Sequence, residues 1–175
     1  LPQPFLVIAT ENSIEFQGTY QLPEAQLDRF AMQLTLGYPD EKHELEMLFE
    51  RFNNDPALHI EPIMDCDDVL ELQAFVRQVK VEDSVADYML RIVRATRSDS
   101  RIELGASPRA LLMLSRCSQA AAFLEQRDFV LPEDVKKTAA VVLPHRLMLE
   151  SKTRYSGMTA TQIVADLLDN ITVPV

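Results

Sequence analysis

Residue types that bind metals or act as nucleophiles are few and scattered in this sequence. Cys66 and Cys117 are far apart, and neither belongs to a Cys-x-x-Cys pair. The histidines, which are His43, His59 and His145, show none of the short spacings typical of metal ligands. In the acidic run from 65 to 68 we interpret Asp67 as the N-cap of a helix beside solvated carboxylates. We therefore expect no metal site, and reduced cysteines rather than a disulfide.

Three other polar residues lie near the ends of predicted elements. Asn12 follows an apolar run, Arg29 ends a short helical segment, and Arg109 lies just inside the start of a longer helix. By residue type alone, Asn12 would shape a turn, and Arg29 would be a cation at a favourable helix end. A cation in the first turn of a helix is slightly unfavourable, so Arg109 is the more informative of the two arginines.

Composition limits the classes of partner. The chain has 175 residues, of which 17 are basic and 27 acidic, and its formal net charge is −10. This balance disfavours a nucleic-acid backbone and an anionic membrane surface as main partners. At 47% hydrophobic the composition is that of a globular domain. No apolar run approaches the roughly 20 residues of a membrane span.

The elements that must position these side chains are of two kinds. The apolar run 5–10 predicts a buried strand, and the alternation over 31–36 predicts a second one. Between them, Pro23 opens a short helix over 23–30. Two strands do not form a stable sheet alone, so we expect this α/β part to be incomplete. The start at Leu1, without methionine or signal sequence, likewise predicts that the chain is the C-terminal part of a longer protein.

The rest of the chain has the periodicity of five or six amphipathic helices. Asp40 predicts the cap of the first, with Leu45, Leu48, Phe49 and Phe52 buried. The second is predicted to begin at Asp67 and to bury Val69, Leu72, Phe75, Val76 and Val79. The third is predicted to begin at Asp83 and to bury Val85, Tyr88, Met89, Ile92 and Val93. Ser107-Pro108 and Pro132 open the next two, and the last buries Ile163, Val164, Leu167, Leu168 and Ile171.

Four segments together resemble the MoxR branch of the AAA+ ATPases: 4–12, 18–30, 104–110 and 127–135. They occur in order, at the family's spacing, over nearly the whole chain, and Tyr38-Pro39 falls where that family passes into its lid. The resemblance implies a mainly α fold class. The end of an AAA+ α/β nucleotide-binding domain, with two strands and a short helix, would cover 1–38. A helical lid bundle would cover 39–175.

The resemblance also implies roles for single residues. Asn12 matches sensor 1, Arg29 lies in the Leu-Asp-Arg-Phe arginine-finger motif, and Arg109 matches sensor 2. Asn12, Tyr38 and Arg109 are then the expected nucleotide-binding residues. A guanidinium at either site suits the charge and planarity of a phosphoryl group. The stripe of Arg91, Arg94 and Arg97 is interpreted first as a solvated face that pairs with acids, with contact to nucleotide or a neighbouring subunit left open.

Two sequence features that such an ATPase needs are not in this chain. The glycines, at 18, 37, 105 and 157, are not followed by Lys-Ser or Lys-Thr, so no GxxxxGK[ST] phosphate loop is present. The acidic magnesium motif that precedes the 5–10 strand in the family is also missing. ATP and Mg²⁺ are therefore expected as cofactors of the full-length protein, and the chain alone is expected to be inactive.

By resemblance, the parent protein is a chaperone-like motor that matures partner complexes or inserts their metals and cofactors. Its expected partners are copies of itself in a ring, a hexamer, and a protein with a von Willebrand factor A domain; the expected location is the cytoplasm. Two alternatives stay open: a helical interaction module without a nucleotide role, and a magnesium-chelatase-like AAA+ subunit. The stretch 18–26 favours MoxR. Ser13 and Leu131 depart from the family, and Leu131 removes a helix cap.

Overall fold

A computed structural model describes residues 2–11, 22–53 and 60–174 of the protein, and these residues are mainly helical, which confirms the expected fold class. Ile102–Leu104 and Met148–Leu149 pair in a two-stranded antiparallel sheet. A 3₁₀ turn, Pro144–Arg146, lies just before the second of these strands. In chain order the elements are α1 Glu24–Leu27, α2 Glu41–Asn53, α3 Cys66–Gln78, α4 Asp83–Ser98, β1 Ile102–Leu104, α5 Pro108–Leu124, α6 Pro132–Val142, β2 Met148–Leu149, α7 Ser151–Tyr155 and α8 Ala160–Asn170.

The hydrophobic core is built around α4, which contacts α5, α6 and α8. The predicted apolar stripe of α4 is confirmed, because all five of its members are buried. Of the residues predicted to be buried by the last helix, Ile163, Val164 and Leu168 are buried, whereas Leu167 and Ile171 are half-buried. The buried side chains of these helices include Leu114, Val135, Ala139, Val142, Leu143, Ile163 and Val164. Burying large aliphatic side chains in this way is the main source of stability for such a bundle.

Helix starts follow the capping signals in part. Ser107 caps α5 as predicted: its Oγ accepts the Ala110 N–H at 3.3 Å, with Pro108 in the first turn. The predicted cap at Asp67 is wrong, because Asp65 Oδ1 accepts the Asp68 N–H while Asp68 Oδ2 accepts the Asp65 N–H, both at 2.9 Å. This reciprocal capping box satisfies two backbone donors, whereas Asp67 would satisfy one. Asp83 is likewise the first residue of α4 rather than its cap.

The predicted strands over 5–10 and 31–36 are not formed. Neither segment pairs with a strand in the described residues, and Leu6, Ile8 and Leu36 are 78%, 81% and 98% exposed. The physical reason is that β-propensity and alternation describe side chains, whereas a strand also needs a neighbouring backbone. Among the described residues, the only paired strands are β1 and β2. They have three and two residues, which is too short for an alternating pattern to be recognised in the sequence.

The prediction that α2 buries its apolar side is also wrong for the residues that the structure describes. Leu45, Leu48 and Phe49 are 50%, 53% and 64% exposed. The side chain of Phe52 is not among those that the structure describes. In α3, Leu72 and Phe75 are 38% and 46% exposed. Helical periodicity correctly predicts these helices, but it does not state whether another element covers the apolar face.

The connection between α5 and α6 compensates for the missing cap at Leu131. Leu131 has no side-chain acceptor, yet its N–H donates to Asp134 Oδ2 at 2.8 Å. The Arg127 guanidinium binds both oxygens of the same carboxylate, at 2.7 and 2.6 Å. Asp134 is 1% exposed, so a charged side chain here requires such partners.

Within the described ranges, no helix combines the length and apolarity that a membrane span requires.

Candidate functional site

Arg29 lies on a tight turn that follows α1. The turn is closed by backbone hydrogen bonds from Arg29 N–H to the Gln26 carbonyl and from Phe30 N–H to the Leu27 carbonyl, each at 3.0 Å. The Arg29 side chain is exposed. Among the described residues, no hydrogen bond or ion pair involves its guanidinium. The turn therefore presents a cation to the solvent.

A buried arginine from the other end of the chain holds this turn. The Arg146 side chain is fully buried, and its nitrogens contact backbone carbonyls of Asp28 at 3.3 Å and Ala31 at 3.2 Å. They also donate to the carbonyls of Phe30 and of Val142 on α6. One guanidinium thus joins three carbonyls of the turn to the end of α6, which uses the fixed fork of donors that only arginine offers.

Asp28 provides the counter-charge for this buried guanidinium. Its Oδ1 lies 3.3 Å from Arg146 Nε. Nε has no well-aligned hydrogen bond, so the contact is one of charge rather than of hydrogen-bond geometry. Burial lowers the pKa of Arg146, and the Asp28 carboxylate opposes that shift, while the positive charge of Arg109 adds to it. Arginine stays protonated in proteins, so the pair is an ion pair at neutral pH.

The same carboxylate reaches the start of α5. Ser107 Oγ lies 3.0 Å from Asp28 Oδ1 and 3.2 Å from Oδ2 and donates its proton to them. Its lone pair accepts the Ala110 N–H, so one hydroxyl serves both as the cap of α5 and as the link to Asp28. Arg109 is two residues beyond this link. Asp28 and Ser107 therefore connect the backbone that bears Arg29 to the backbone that bears Arg109.

The start of α5 is also fixed to the end of α4. Thr96 Oγ1 accepts the Ala106 N–H at 3.0 Å, and Arg97 Nε donates to the Ala106 carbonyl at 2.8 Å. Gly105 is required for this approach, since a Cβ there would lie 2.7 Å from backbone atoms of Thr96 and Arg97. Ala106 thus has both of its backbone groups satisfied by α4, and the residues after it start the helix in a defined direction.

Arg109 is exposed on this rigid support. In the part of the chain that the structure describes, its guanidinium takes part in no hydrogen bond or ion pair. The positive end of the α5 dipole lies at the same helix start. A cation beside that dipole costs free energy by itself, but it suits an anionic ligand such as a phosphate.

The structure gives less support to the other predicted site residues. Asn12 lies outside the described residues. Tyr38 is 90% exposed in the irregular segment before α2. In the basic stripe, Arg91 pairs with Asp87 at 2.9 Å and with the Thr172 carbonyl, and Arg97 holds Ala106. No group of acidic, histidine or cysteine side chains in the described ranges is arranged to hold a metal ion.

Sequence reasoning missed the residues that connect the site. Arg146 and Asp28 were not predicted to interact, and Ser107 was predicted only as a cap. The one local signal was that Asp28 directly precedes Arg29 in the motif. Nothing around Arg146 indicates its burial, because it lies in a Pro-His-Arg turn that is typical of a solvated helix end.

Comparisons with known proteins agree with this arrangement. A family model for the AAA lid domain matches residues 94–167, and a model for the ATPase family associated with various cellular activities (AAA) matches residues 1–32. A crystal structure from Cytophaga hutchinsonii, provisionally assigned as an ATPase, superimposes with a TM-score of 0.91 and 37% identity. The superposition includes 100% of this chain and 56% of the Cytophaga hutchinsonii chain.

Curated relatives identify the branch. YeaC of Bacillus subtilis, which is uncharacterized, is 41% identical over 100% of this chain and 55% of its own. The chaperone MoxR1 of Mycobacterium tuberculosis is 33% identical over 99% of this chain and 48% of its own. A magnesium-chelatase subunit homolog of Methanocaldococcus jannaschii is 24% identical over 83% of this chain. The chain spans about half the length of the curated relatives it matches.

The fold and the matches to the AAA lid and AAA family models define an AAA+ protein. Within that class the chain belongs to the MoxR family, as the motifs at 4–12, 18–30, 104–110 and 127–135 predict.

Proposed function

We propose that this chain supplies the sensor residues, the arginine finger and the lid of a MoxR-type ATPase. This proposal depends on the exposure of two guanidinium groups. Arg29 and Arg109 are both exposed, on backbone segments that Asp28 and Ser107 hold together. An exposed guanidinium on a hydrogen-bonded turn or helix start suits the charge of a phosphate group, and a helical surface that only contacts water does not need its two cations to be anchored in this way.

The two arginines have different parts in the proposed reaction. Arg29 stabilises charge on the transferred phosphoryl group of a neighbouring subunit, as an arginine finger does. Arg109 acts within its own subunit and connects the terminal phosphate to the position of the lid. Asn12 orients the attacking water through its neutral amide, and Tyr38 contacts the nucleotide near the entry to the lid.

The described residues fit part of the cofactor and not all of it. Planar guanidiniums and a helix start are the donors that suit phosphate oxygens. Mg²⁺, which neutralises charge on the β and γ phosphates when it is bound, needs carboxylate or hydroxyl ligands, and the described residues offer no such cluster. ATP and Mg²⁺ are therefore proposed as cofactors of the full-length protein, whose phosphate loop would hold them.

An arginine finger acts only across an interface, so the proposal includes a ring of identical subunits, a hexamer in the cytoplasm. One relative is described as a chaperone, which supports a chaperone-like role in maturing partner complexes or inserting their cofactors. A protein with a von Willebrand factor A domain is the proposed partner.

The decisive experiment mixes variants of the full-length protein and measures ATP turnover. Arg29→Ala should reduce turnover by about 10³-fold or more while ATP affinity stays nearly unchanged. Mixing it with a phosphate-loop variant should restore part of the activity, because some interfaces then combine an intact finger with an intact pocket. Arg109→Ala should weaken ATP binding and should not be rescued through the same interface.

Arg154→Ala provides the matched control. Arg154 is an exposed arginine on α7 whose guanidinium, among the described residues, bonds only to Ser151 Oγ, at 3.4 Å, so its loss should leave turnover at the wild-type level. Wild-type turnover by Arg29→Ala, or equal rescue of both site variants, would contradict the assigned roles. A full-length protein that neither binds nor hydrolyses ATP would favour the alternative, an interaction module.

A further inference from the structure

Three residues that the sensor and finger roles do not include form a continuous connection through the chain. Arg146 follows α6, Asp28 precedes Arg29, and Ser107 caps α5. The Asp28 carboxylate is shared between the other two: Arg146 Nε lies 3.3 Å from Oδ1, and Ser107 Oγ lies 3.0 Å from the same oxygen. The turn that bears Arg29 is therefore attached to the lid at two points.

We propose that Ser107 and Arg146 are positioning residues for Arg29, which make the arginine-finger turn move as one unit with the start of α5. This inference rests on the proposed function for the role of Arg29, and the connection itself rests on the contacts. When the lid changes its angle in response to nucleotide in its own subunit, the turn follows. Arg29 then approaches or leaves the neighbouring subunit's nucleotide.

Geometry supports a stiff connection rather than a loose contact. The Arg146 side chain has no exposed surface, and it binds carbonyls on both sides of the joint. His145 Nε2 lies 3.4 Å from the Phe30 carbonyl. Farther along the turn, the Gln33 N–H donates to the Val141 carbonyl of α6 at 3.0 Å. A displacement of α6 or α5 would have to break these bonds or carry residues 28–33 with it.

Charge supports the same conclusion. A buried guanidinium without a counter-charge is strongly unfavourable, so Arg146 holds Asp28 in place. The Asp28 carboxylate in turn fixes the direction of the Ser107 hydroxyl. Breaking the Ser107 bond alone leaves the Arg146–Asp28 pair intact, which makes Ser107 the residue of choice for a test. Arg146 variants, by contrast, would leave buried carbonyls without donors and can fail to fold.

The test compares Ser107→Ala with Thr159→Ala in the full-length protein. Both changes remove the capping hydroxyl of a long helix, since Thr159 Oγ1 accepts the Gln162 N–H at 3.2 Å at the start of α8. Only Ser107 also bonds to Asp28. Ser107→Thr keeps a hydroxyl at the cap and should behave as wild type.

The first readout is hydrogen exchange at the Arg29 amide, whose bond to the Gln26 carbonyl closes the turn beside the Asp28–Ser107 contact. Ser107→Ala should raise this exchange rate about tenfold, the factor expected for losing one hydrogen bond to a charged group. Thr159→Ala should leave it unchanged. Equal acceleration in both variants would overturn the connection, because loss of any cap would then explain the effect.

The second readout is a double-mutant cycle on ATP turnover. If Ser107 acts through Arg29, Ser107→Ala should lower kcat about tenfold in the wild type and not at all in the Arg29→Ala background. Equal fold losses in both backgrounds would overturn the positioning role. If Arg29→Ala itself leaves turnover unchanged, the proposed function is refuted, and the exchange measurement still decides whether the connection exists.

Discussion

Gly105 offers the most direct quantitative test of how the lid is built. An alanine Cβ at this position would lie 2.7 Å from the Cα of Arg97 and 2.7 Å from the carbonyl oxygen of Thr96. Both atoms belong to the backbone of α4, so neither can rotate away as a side chain could. Gly105→Ala must therefore push the loop before α5 away from α4.

The magnitude follows from what this displacement disrupts. Inserting a methyl group into a tightly packed place costs about 1–3 kcal/mol. The two hydrogen bonds of Ala106, at 3.0 and 2.8 Å, are the first to lengthen, and each contributes about 1 kcal/mol. A less flexible unfolded chain offsets about 0.4–1 kcal/mol. We expect a loss of about 3 kcal/mol in the free energy of unfolding, taking the middle of these ranges.

Urea denaturation followed by circular dichroism measures this loss as a lower midpoint with an unchanged slope. Gly157→Ala is the comparison, because Gly157 has φ +80° and no atom within 4 Å of an added Cβ. That change costs only the backbone strain of a left-handed residue, about 1–2 kcal/mol. If Gly105→Ala destabilises the protein no more than Gly157→Ala, the close approach of the two segments is wrong.

Two further expectations concern titration and reactivity. Burial acts to raise the pKa of Asp134, but the Arg127 guanidinium and the Leu131 N–H outweigh it and hold the pKa below its usual value. The stability that this carboxylate contributes is therefore present above about pH 4 and is lost as pH falls through the lowered pKa. In Asp134→Asn, the urea midpoint should fall less between pH 7 and pH 3 than it does in the wild type. An unchanged pH profile would refute the assignment. Partial burial raises the pKa of the Cys117 thiol, with Arg146 opposing. A thiol reagent should therefore label the exposed Cys66 of the native protein faster than Cys117, and equal labelling rates would contradict the difference in burial.

Local periodicity predicted the helices that have neighbours. The stripe from Val85 to Val93 repeats at helical spacing and is buried as expected, and Ser107-Pro108 marked the start of α5 correctly. These signals lie within one or two turns of chain. They predict an element and one of its faces without information about any other part of the sequence.

The same signals fail where the outcome depends on a distant partner. Leu36 has the alternation of a strand and Phe49 the spacing of a buried helix face, yet both are largely exposed because nothing in the described residues covers them. The candidate site shows the opposite case. Asp28 and Ser107 are 79 residues apart, and neither position gives a local sign of the bond between them. Short motifs could therefore suggest Arg29 and Arg109, but not the connection between their supports.

Arg146 binds the main chain of the turn rather than particular side chains. The turn residues can therefore change without loss of the contact, whereas residue 146 cannot. Any residue at 30 or 31 presents a carbonyl oxygen in the same place, provided that the turn keeps its shape, so the contact does not depend on the identity of Phe30 or Ala31. Position 146, by contrast, needs a planar fork whose two terminal nitrogens donate four hydrogen bonds, and it has no substitute among the amino acids. The surface of the arginine-finger turn can thus change to suit a different neighbour while its attachment to the lid stays the same.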